Sequence, residues 1–281
     1  MTAPVRIGVA LKAAPRRVDV DPLTGAVTAG HQPPALAPAD LAAVETALRL
    51  AASWDAAAVT VATAGPPESE AALREALGMG AAHAVRLALD AGAVPGGPGA
   101  VRTTARALAT AFADCDVVVC GDTSVDGGTG AVPALLAAEL GVAQCLGLVA
   151  VVAGKPGEVI VERRLDAGRR ERARVRAPMV VSVEPGAARP RRGALRTVLS
   201  AGAAPIEVRE APRPPEETVR FRPYRPRPRA LPGPDPELAP LDRVEHLVGT
   251  LADREPPRRV DAAPADAARE IVDQLRTWGY L

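Results

Sequence analysis

Aromatic side chains are almost missing from this chain, with two Trp, two Tyr and two Phe in 281 residues. A hydrophobic core therefore has to be built from Ala, Val and Leu, and few rings are on hand to stack bases, as single-stranded nucleic-acid binders require. An excess of charge of one sign is lacking too. The net charge is +1, so no global field draws in nucleic acid or an acidic membrane surface. No apolar run reaches about 18 residues without a charge or a breaker, which argues against a membrane-spanning helix. Val5–Leu11 is too short for a secretory leader and no cleavage site follows it, so a cytoplasmic location is expected. Cysteine is sparse: Cys115, Cys120 and Cys145 match no zinc or redox spacing, and an odd number does not suit a disulfide framework. Buried, reduced thiols are expected.

The chemical motifs are missing as well. There is no G-x-x-x-x-G-K-[ST] loop, no G-x-G-x-x-G after the first strand, no G-x-S-x-G elbow and no H-E-x-x-H. His31, His83 and His246 stand far apart and make no triad. Nothing here assembles an acid–base pair, a nucleophile or a metal site.

What the chain does contain is alternation. Val5–Leu11, Ala57–Thr63, Ala84–Leu89 and Asp116–Cys120 read as short buried strands. Asp40–Ala52, Ser69–Leu77, Val101–Phe112 and Ala131–Leu140 carry apolar residues at helical spacing between and after them. Strand and helix in turn predict an α/β fold, a mainly parallel sheet with helices on both faces. The Pro/Gly stretch from Pro22 to Pro33 reads as a loop or small hairpin, and Gly92–Gly99 as a loop. Beyond Gly141 the pattern changes. Leu146–Val152, Val159–Leu165 and Arg170–Arg176 read as strands of a β-hairpin extension turning at Asp166-Ala167-Gly168, followed by the apolar strand Met179–Val183. From Arg209 to Pro240 the chain is dense in Pro and Arg without periodicity, which predicts an extended C-terminal arm. A short terminal helix over Ala265–Trp278 opens at Pro264. Residues 1–208 are thus expected to form one α/β domain and residues 209–281 an arm.

Two regions invite ligands or partners. Gly121-Asp-Thr-Ser-Val-Asp-Gly-Gly-Thr-Gly130 follows the strand Asp116–Cys120 and precedes a helix. That is the carboxyl edge of an open α/β sheet, where ligands bind. Glycines let backbone N–H groups approach phosphate oxygens, and a helix N-terminus adds a favourable dipole. Thr123, Ser124 and Thr129 add hydroxyls. An ordinary turn-rich connection reads the same way at this level. The second region is the arginine crowd from Arg163 to Arg176, which suits either a solvated hairpin or a docking surface for an acidic partner. Leu195, Val198 and Leu199 lie in what reads as a Gly/Arg-flanked loop, where an apolar residue tucks into the core or anchors a partner.

Five stretches together resemble the beta subunit of electron-transfer flavoproteins, in its divergent bacterial members. They are Val9-Ala-Leu-Lys12; Pro38 with Ala43-Val-Glu45 and Ala47-Leu-Arg-Leu50; Gly65-Pro66 with Leu73-Arg74, Ala76-Leu77 and Met79-Gly80-Ala81; Asp126-Gly127, Thr129 and Val132; and Val161-Glu162-Arg163, Asp166, Gly168, Glu171 and Pro178-Met179-Val180-Val181-Ser182. The resemblance runs from about residue 5 to 206. It implies a Rossmann-like, adenine-nucleotide-binding fold and a heterodimer with a larger alpha subunit. FAD is shared with that alpha subunit, and AMP or a second FAD lies in this one. Carried over, the nucleotide contacts are Ala10, Pro38, Asp40 and Ala64, with Gly121, Thr123, Ser124, Val125, Asp126, Gly127, Gly128, Thr129, Gly130 and Val132. Leu195, with Val198 and Leu199, falls on the family's anchor for flavin-dependent dehydrogenases. The role implied is an electron relay from those dehydrogenases toward the respiratory chain. Several positions depart from the family: Gly128 and Ala131 stand where Asp and Gln are usual, Asp122 where Lys is common, Ala37 where Asn is usual and Pro133 where a small residue is, and Ala167 and Ala173 of the hairpin differ as well. A stand-alone adenine-nucleotide-binding protein of the universal-stress type is the alternative reading. It needs the same sheet and loop but neither hairpin nor arm.

Overall fold

The computed structural model describes residues 4–21, 27–29, 33–55, 58–89, 98–212, 234–247 and 259–281. The chain divides into two units, residues 1–220 and 221–281.

The first unit opens with β1 (Ile7–Leu11), the two-residue strand β2 (Ala13–Ala14), the small hairpin β3 (Val18–Val20) and β4 (Val27–Ala29), and β5 (Ala35–Leu36). Helix α1 (Pro38–Trp54) starts with proline at its first position, where the missing N–H is no loss. It ends at Asp55, which takes a left-handed conformation. Then come β6 (Val59–Gly65), α2 (Glu70–Met79), β7 (His83–Ala88), α3 (Pro98–Phe112), β8 (Val117–Gly121) and α4 (Val132–Leu140). The expected hairpin region gives β9 (Ala143–Ala153), β10 (Glu158–Arg164) and β11 (Arg170–Arg176), with a single 3-10 turn at Asp166–Gly168. β12 (Met179–Val183), α5 (Leu195–Ala201) and β13 (Glu207–Glu210) complete it.

Nine of these strands form one sheet in the order β11-β10-β9-β12-β8-β1-β6-β7-β13. The seven strands from β9 to β13 along that order are parallel to one another, whereas β10 and β11 join by antiparallel pairing. The α/β fold with a mainly parallel sheet and a hairpin extension is therefore as expected. β1 sits near the centre with β6 on one side and β8 on the other. After β1 the chain winds out through β6 and β7, then returns to place β8 on the opposite side. That reversal opens a crevice at the carboxyl ends of β1, β6 and β8, the place where open α/β sheets bind ligands.

Period-two alternation fills both faces of the sheet. Ile7 and Val9 of β1, Val117 and Val119 of β8, and Val181 of β12 join a core with Val44, Leu50, Leu73 and Leu77 of α1 and α2. Ala10, Val118, Cys120 and Val180 face the other way, onto Leu108 and Phe112 of α3 and Leu136 of α4. Each fully buried Val or Leu contributes about 1.5–3 kcal/mol. Both faces are covered, so the central strands read as continuous apolar runs rather than half-polar ones.

Two expectations need correction. The segment with Leu195, Val198 and Leu199 is not a loop but the helix α5, bounded by Ala194 and Gly202. Its seven residues contain no breaker, and the glycines on either side give them the look of a longer turn. Arg209 does not begin an extended arm: it lies in β13, which pairs in parallel with β7 at the sheet edge. β13 also runs across the expected boundary at residue 208. Most of the expected arm lies outside the described residues, as do Gly92 to Gly97 of the expected loop and His31.

The second unit contains α6 (Pro240–Leu247) and α7 (Pro264–Thr277), the latter beginning at the expected proline. Leu241, Val244 and Leu247 of α6 and Ile271 of α7 are exposed, as are Trp278, Tyr280 and Leu281 after it. Among the described residues no helix is long and apolar enough to cross a membrane.

Candidate functional site

The crevice holds a cleft of about 140 Å³, smaller than the roughly 300–1,000 Å³ of typical ligand pockets. Strands β1, β6 and β8, helix α3 and the starts of α1 and α4 line it. Ala10, Leu11 and Lys12 come from the end of β1 and Ala64 from the end of β6. Val101, Thr104 and Leu108 come from α3, and Cys120, Gly121 and the loop to Pro133 follow along and after β8. Asp40 closes it from the first turn of α1. Gly121 packs closely against α1: a Cβ there would meet the Ala39 Cβ at 3.0 Å and its carbonyl carbon at 3.1 Å, so α1 would have to give by a few tenths of an ångström.

Of the fourteen nucleotide contacts carried over from the resemblance, Ala10, Asp40, Ala64, Gly121, Thr123, Ser124, Gly127, Thr129, Gly130 and Val132 border this cleft. Pro38, Val125, Asp126 and Gly128 do not. Pro38 is exposed at the start of α1. Val125 is 65% exposed and Gly128 has a φ of 61° with open space around it. The cleft also takes in residues outside that set: Leu11, Lys12, Val101, Thr104, Leu108, Cys120, Asp122 and Pro133. Lys12 is visible as the end of the Val9-Ala-Leu-Lys12 match, and it is one of only two lysines in the chain. Val101, Thr104 and Leu108 have the spacing of one helix face, but nothing local says that this face meets the cleft.

Asp40 is the most unusual side chain here. It is 5% exposed, and it accepts the backbone N–H groups of Lys12 and Ala37. The second of these mirrors the carboxylate half of a capping box, in which an acid at the third helical position reaches back to the N-cap. Its Oδ2 is buried without a partner. Burial raises its pKa to about 7, against the two backbone donors and the nearby Lys12 charge. Asp122 likewise has a buried oxygen, Oδ1, with no partner, and burial raises its pKa as well. An unpaired buried acceptor costs about 1–3 kcal/mol. Both atoms therefore favour a ligand that brings N–H or O–H donors.

The outer part of the cleft has the opposite character. Lys12 Nζ lies 2.7 Å from the Asp126 Oδ1, and the Gly127 N–H donates to the same oxygen at 2.7 Å. The Ser124 hydroxyl bonds the Asp126 carboxylate too. Burial pushes Asp126 upward, but these donors outweigh it and hold its pKa below the ordinary carboxylate value. Gly127 packs closely into this cluster, since a Cβ on it would lie 3.3 Å from the Ser124 Oγ and 3.6 Å from the Lys12 Nζ. The Gly128 N–H donates to the Ser124 carbonyl at 3.0 Å and closes the turn.

The remaining candidates lie elsewhere. Leu195, Val198 and Leu199 are 74%, 49% and 70% exposed on α5, so they do not tuck into the core. Most of the arginine crowd is matched by acids on or beside its own hairpin. Arg163 pairs with Glu171, Arg164 with Glu184, Arg170 with Glu162, and Arg174 and Arg176 with the buried Glu158. The three cysteines are free thiols; Cys120 is buried, and Cys115 and Cys145 are half-buried. Burial pushes Cys120 up to about 12 and Cys115 to about 11, which keeps both protonated. His83 is exposed at the start of β7, and among the described residues no His, Cys, Asp and Glu cluster could hold a metal.

Comparison with known proteins agrees with this architecture. A family model described as the electron transfer flavoprotein domain matches residues 25–214, which include the cleft from Asp40 to Pro133. The electron transfer flavoprotein subunit beta of Mycobacterium tuberculosis is 40% identical over 133 residues, 45% of this chain and 48% of that protein. Protein FixA of Azorhizobium caulinodans is 31% identical over 199 residues, 68% of this chain and 69% of that protein. The subunit beta of Thermoanaerobacterium thermosaccharolyticum is 36% identical over 154 residues, 54% of this chain and 56% of that protein. The matched segment spans about half the length of the Mycobacterium tuberculosis relative.

Proposed function

The chain belongs to the electron transfer flavoprotein family, and from that premise we propose that it is the beta-type subunit of a two-subunit electron relay. In this reading it carries no substrate chemistry of its own. It pairs with a larger alpha-type subunit, shares FAD with it, and buries an adenine nucleotide, AMP or a second FAD, in the cleft at the ends of β1, β6 and β8. Flavin-dependent dehydrogenases supply the electrons, which pass toward the respiratory chain from a cytoplasmic complex. The flavin supplies the redox chemistry; this subunit's residues bind, orient and exclude water.

The single observation that carries the nucleotide part is the polarity of the cleft. At its inner end stands the unpaired Asp40 Oδ2, an acceptor suited to an N–H of a base. Its outer border carries a lysine, a hydroxyl and a glycine N–H, donors suited to an anion. The residues present thus fit a nucleotide in kind. α5 supports the docking part, because it offers Leu195 and Leu199 to solvent on a short, well-fastened helix. The family match and the β9–β11 hairpin favour this reading over a stand-alone universal-stress-type protein.

Co-expression with an alpha-type subunit tests the proposal. The expected product is a yellow heterodimer whose native mass spectrum shows FAD and one further adenine nucleotide. A colourless product with no stable heterodimer would overturn it. In the heterodimer, Leu195→Ala is expected to leave flavin content intact and slow reduction by the dehydrogenase. Equal rates would remove Leu195 from the docking surface.

A further inference from the structure

The donors at the outer border of the cleft already hold a carboxylate. Lys12 Nζ, the Gly127 N–H and the Ser124 hydroxyl converge on Asp126, the first two on the same oxygen at 2.7 Å. Lys12, Ser124 and Gly127 border the cleft, whereas Asp126 does not. The carboxylate therefore engages these donors from the loop side. A lysine, a hydroxyl and a loop N–H on one carboxylate form a donor set that a phosphate also takes. A further observation points to a ligand in the same cleft: Asp40 Oδ2 is buried and unpartnered at its inner end.

We propose that Asp126 is an internal competitor for the ligand's phosphate: its carboxylate and the phosphate contend for the same Lys12–Ser124–Gly127 donor set, and the carboxylate gives it up when a phosphate enters. This rests on the nucleotide reading given above. The exchange is one anion for another, with no bond made or broken beyond hydrogen bonds and the ion pair. Entry of the phosphate releases the loop apex at Asp126 from Lys12, so the loop is free to adjust to the nucleotide. The Asp126 ion pair is partly exposed on both sides, which keeps the carboxylate displaceable rather than locked.

The test measures binding of AMP and of adenosine, which lacks the phosphate, to the full chain after removal of copurified nucleotide. Asp126→Asn keeps the size and the Gly127 contact but removes the charge. It is expected to bind AMP about ten-fold tighter than the parent, the worth of one charge-assisted hydrogen bond, with adenosine unchanged. Lys12→Ala is expected to weaken AMP by a similar factor. In the Lys12→Ala background the Asp126→Asn gain should shrink, because the strongest of the contested donors is gone. If the gain persists undiminished there, Asp126 acts only as a distant like charge and the inference fails. If Asp126→Asn binds AMP equally or more weakly while the parent binds it well, Asp126 is a bystander or a direct ligand. The inference then fails and the nucleotide reading stands. If neither parent nor Asp126→Asn binds AMP or adenosine, the nucleotide reading fails and takes the inference with it.

Discussion

At the scale of single residues, Asp40 ties stability to the cleft. Burial raises its pKa to about 7, far above the ordinary value of 3.8. Below the unfolded pKa the carboxyl is neutral in both states. Between there and about 7 the native protein holds a proton that the unfolded chain has released, so stability falls as pH rises and the loss is complete above the native pKa. Asp40→Asn should remove this dependence. Its advantage over the parent in urea unfolding should grow by a few kcal/mol between about pH 4 and pH 8. A difference that stays constant with pH would show that the carboxyl titrates normally in the fold. Asp126 is the counter-case: its partners depress its pKa, so the stability it supplies is present above the unfolded value and is lost as pH falls through the native one. Neither behaviour is legible locally. An Asp near a helix start reads as a capping acid, and whether its second oxygen finds a partner depends on what the strands across the crevice supply.

Among the elements, α5 shows how a helix of under two turns becomes a firm platform. Seven residues are too few to hold a helix without tertiary help. Arg74 of α2 supplies it at one end, donating from Nη1 to the carbonyls of Ala201, Gly202 and Ala204 at 3.0, 2.9 and 3.2 Å. Before the other end, the buried Glu45 of α1 accepts from the Arg191 backbone N–H at 3.2 Å and its Nε at 2.7 Å, and Arg49 Nη2 donates to the Arg189 carbonyl. Arg191 and Arg49 hold Glu45 below the usual carboxylate range even though its burial works the other way. Arg74→Met should therefore loosen α5 first. Amide exchange across Leu195–Ala201 should quicken while β1 and β8 stay protected, with a global loss of about 1–2 kcal/mol. Uniform quickening throughout the sheet would mean that Arg74 supports the whole core rather than α5. The Leu195, Val198 and Leu199 triplet is visible in the sequence. Its helical form is not, because the clamps come from Glu45 and Arg74, far away in the chain.

For the whole molecule, the sheet sets the limits of the folding unit. All nine strands lie between Ile7 and Glu210, and the last of them, β13, pairs with β7 in the chain's first half. A chain ending after Pro212 should keep a single cooperative melt. One ending after Ile206 should lose β13 and expose the β7 edge, with a lower midpoint and a tendency to associate. Equal midpoints for the two would show that β13 adds nothing to the sheet. The sequence alone determined the α/β alternation, the hairpin extension and the position of the glycine-rich loop after β8. Those follow from local period, turn residues and breakers, which are written within a few residues of one another. Only the tertiary structure decided that Lys12, Asp40 and the α3 face meet that loop, that Asp126 ties it down, and that β13 belongs to the sheet. These depend on the reversal of strand order around β1, a contact pattern between segments far apart in the chain that no local signal encodes.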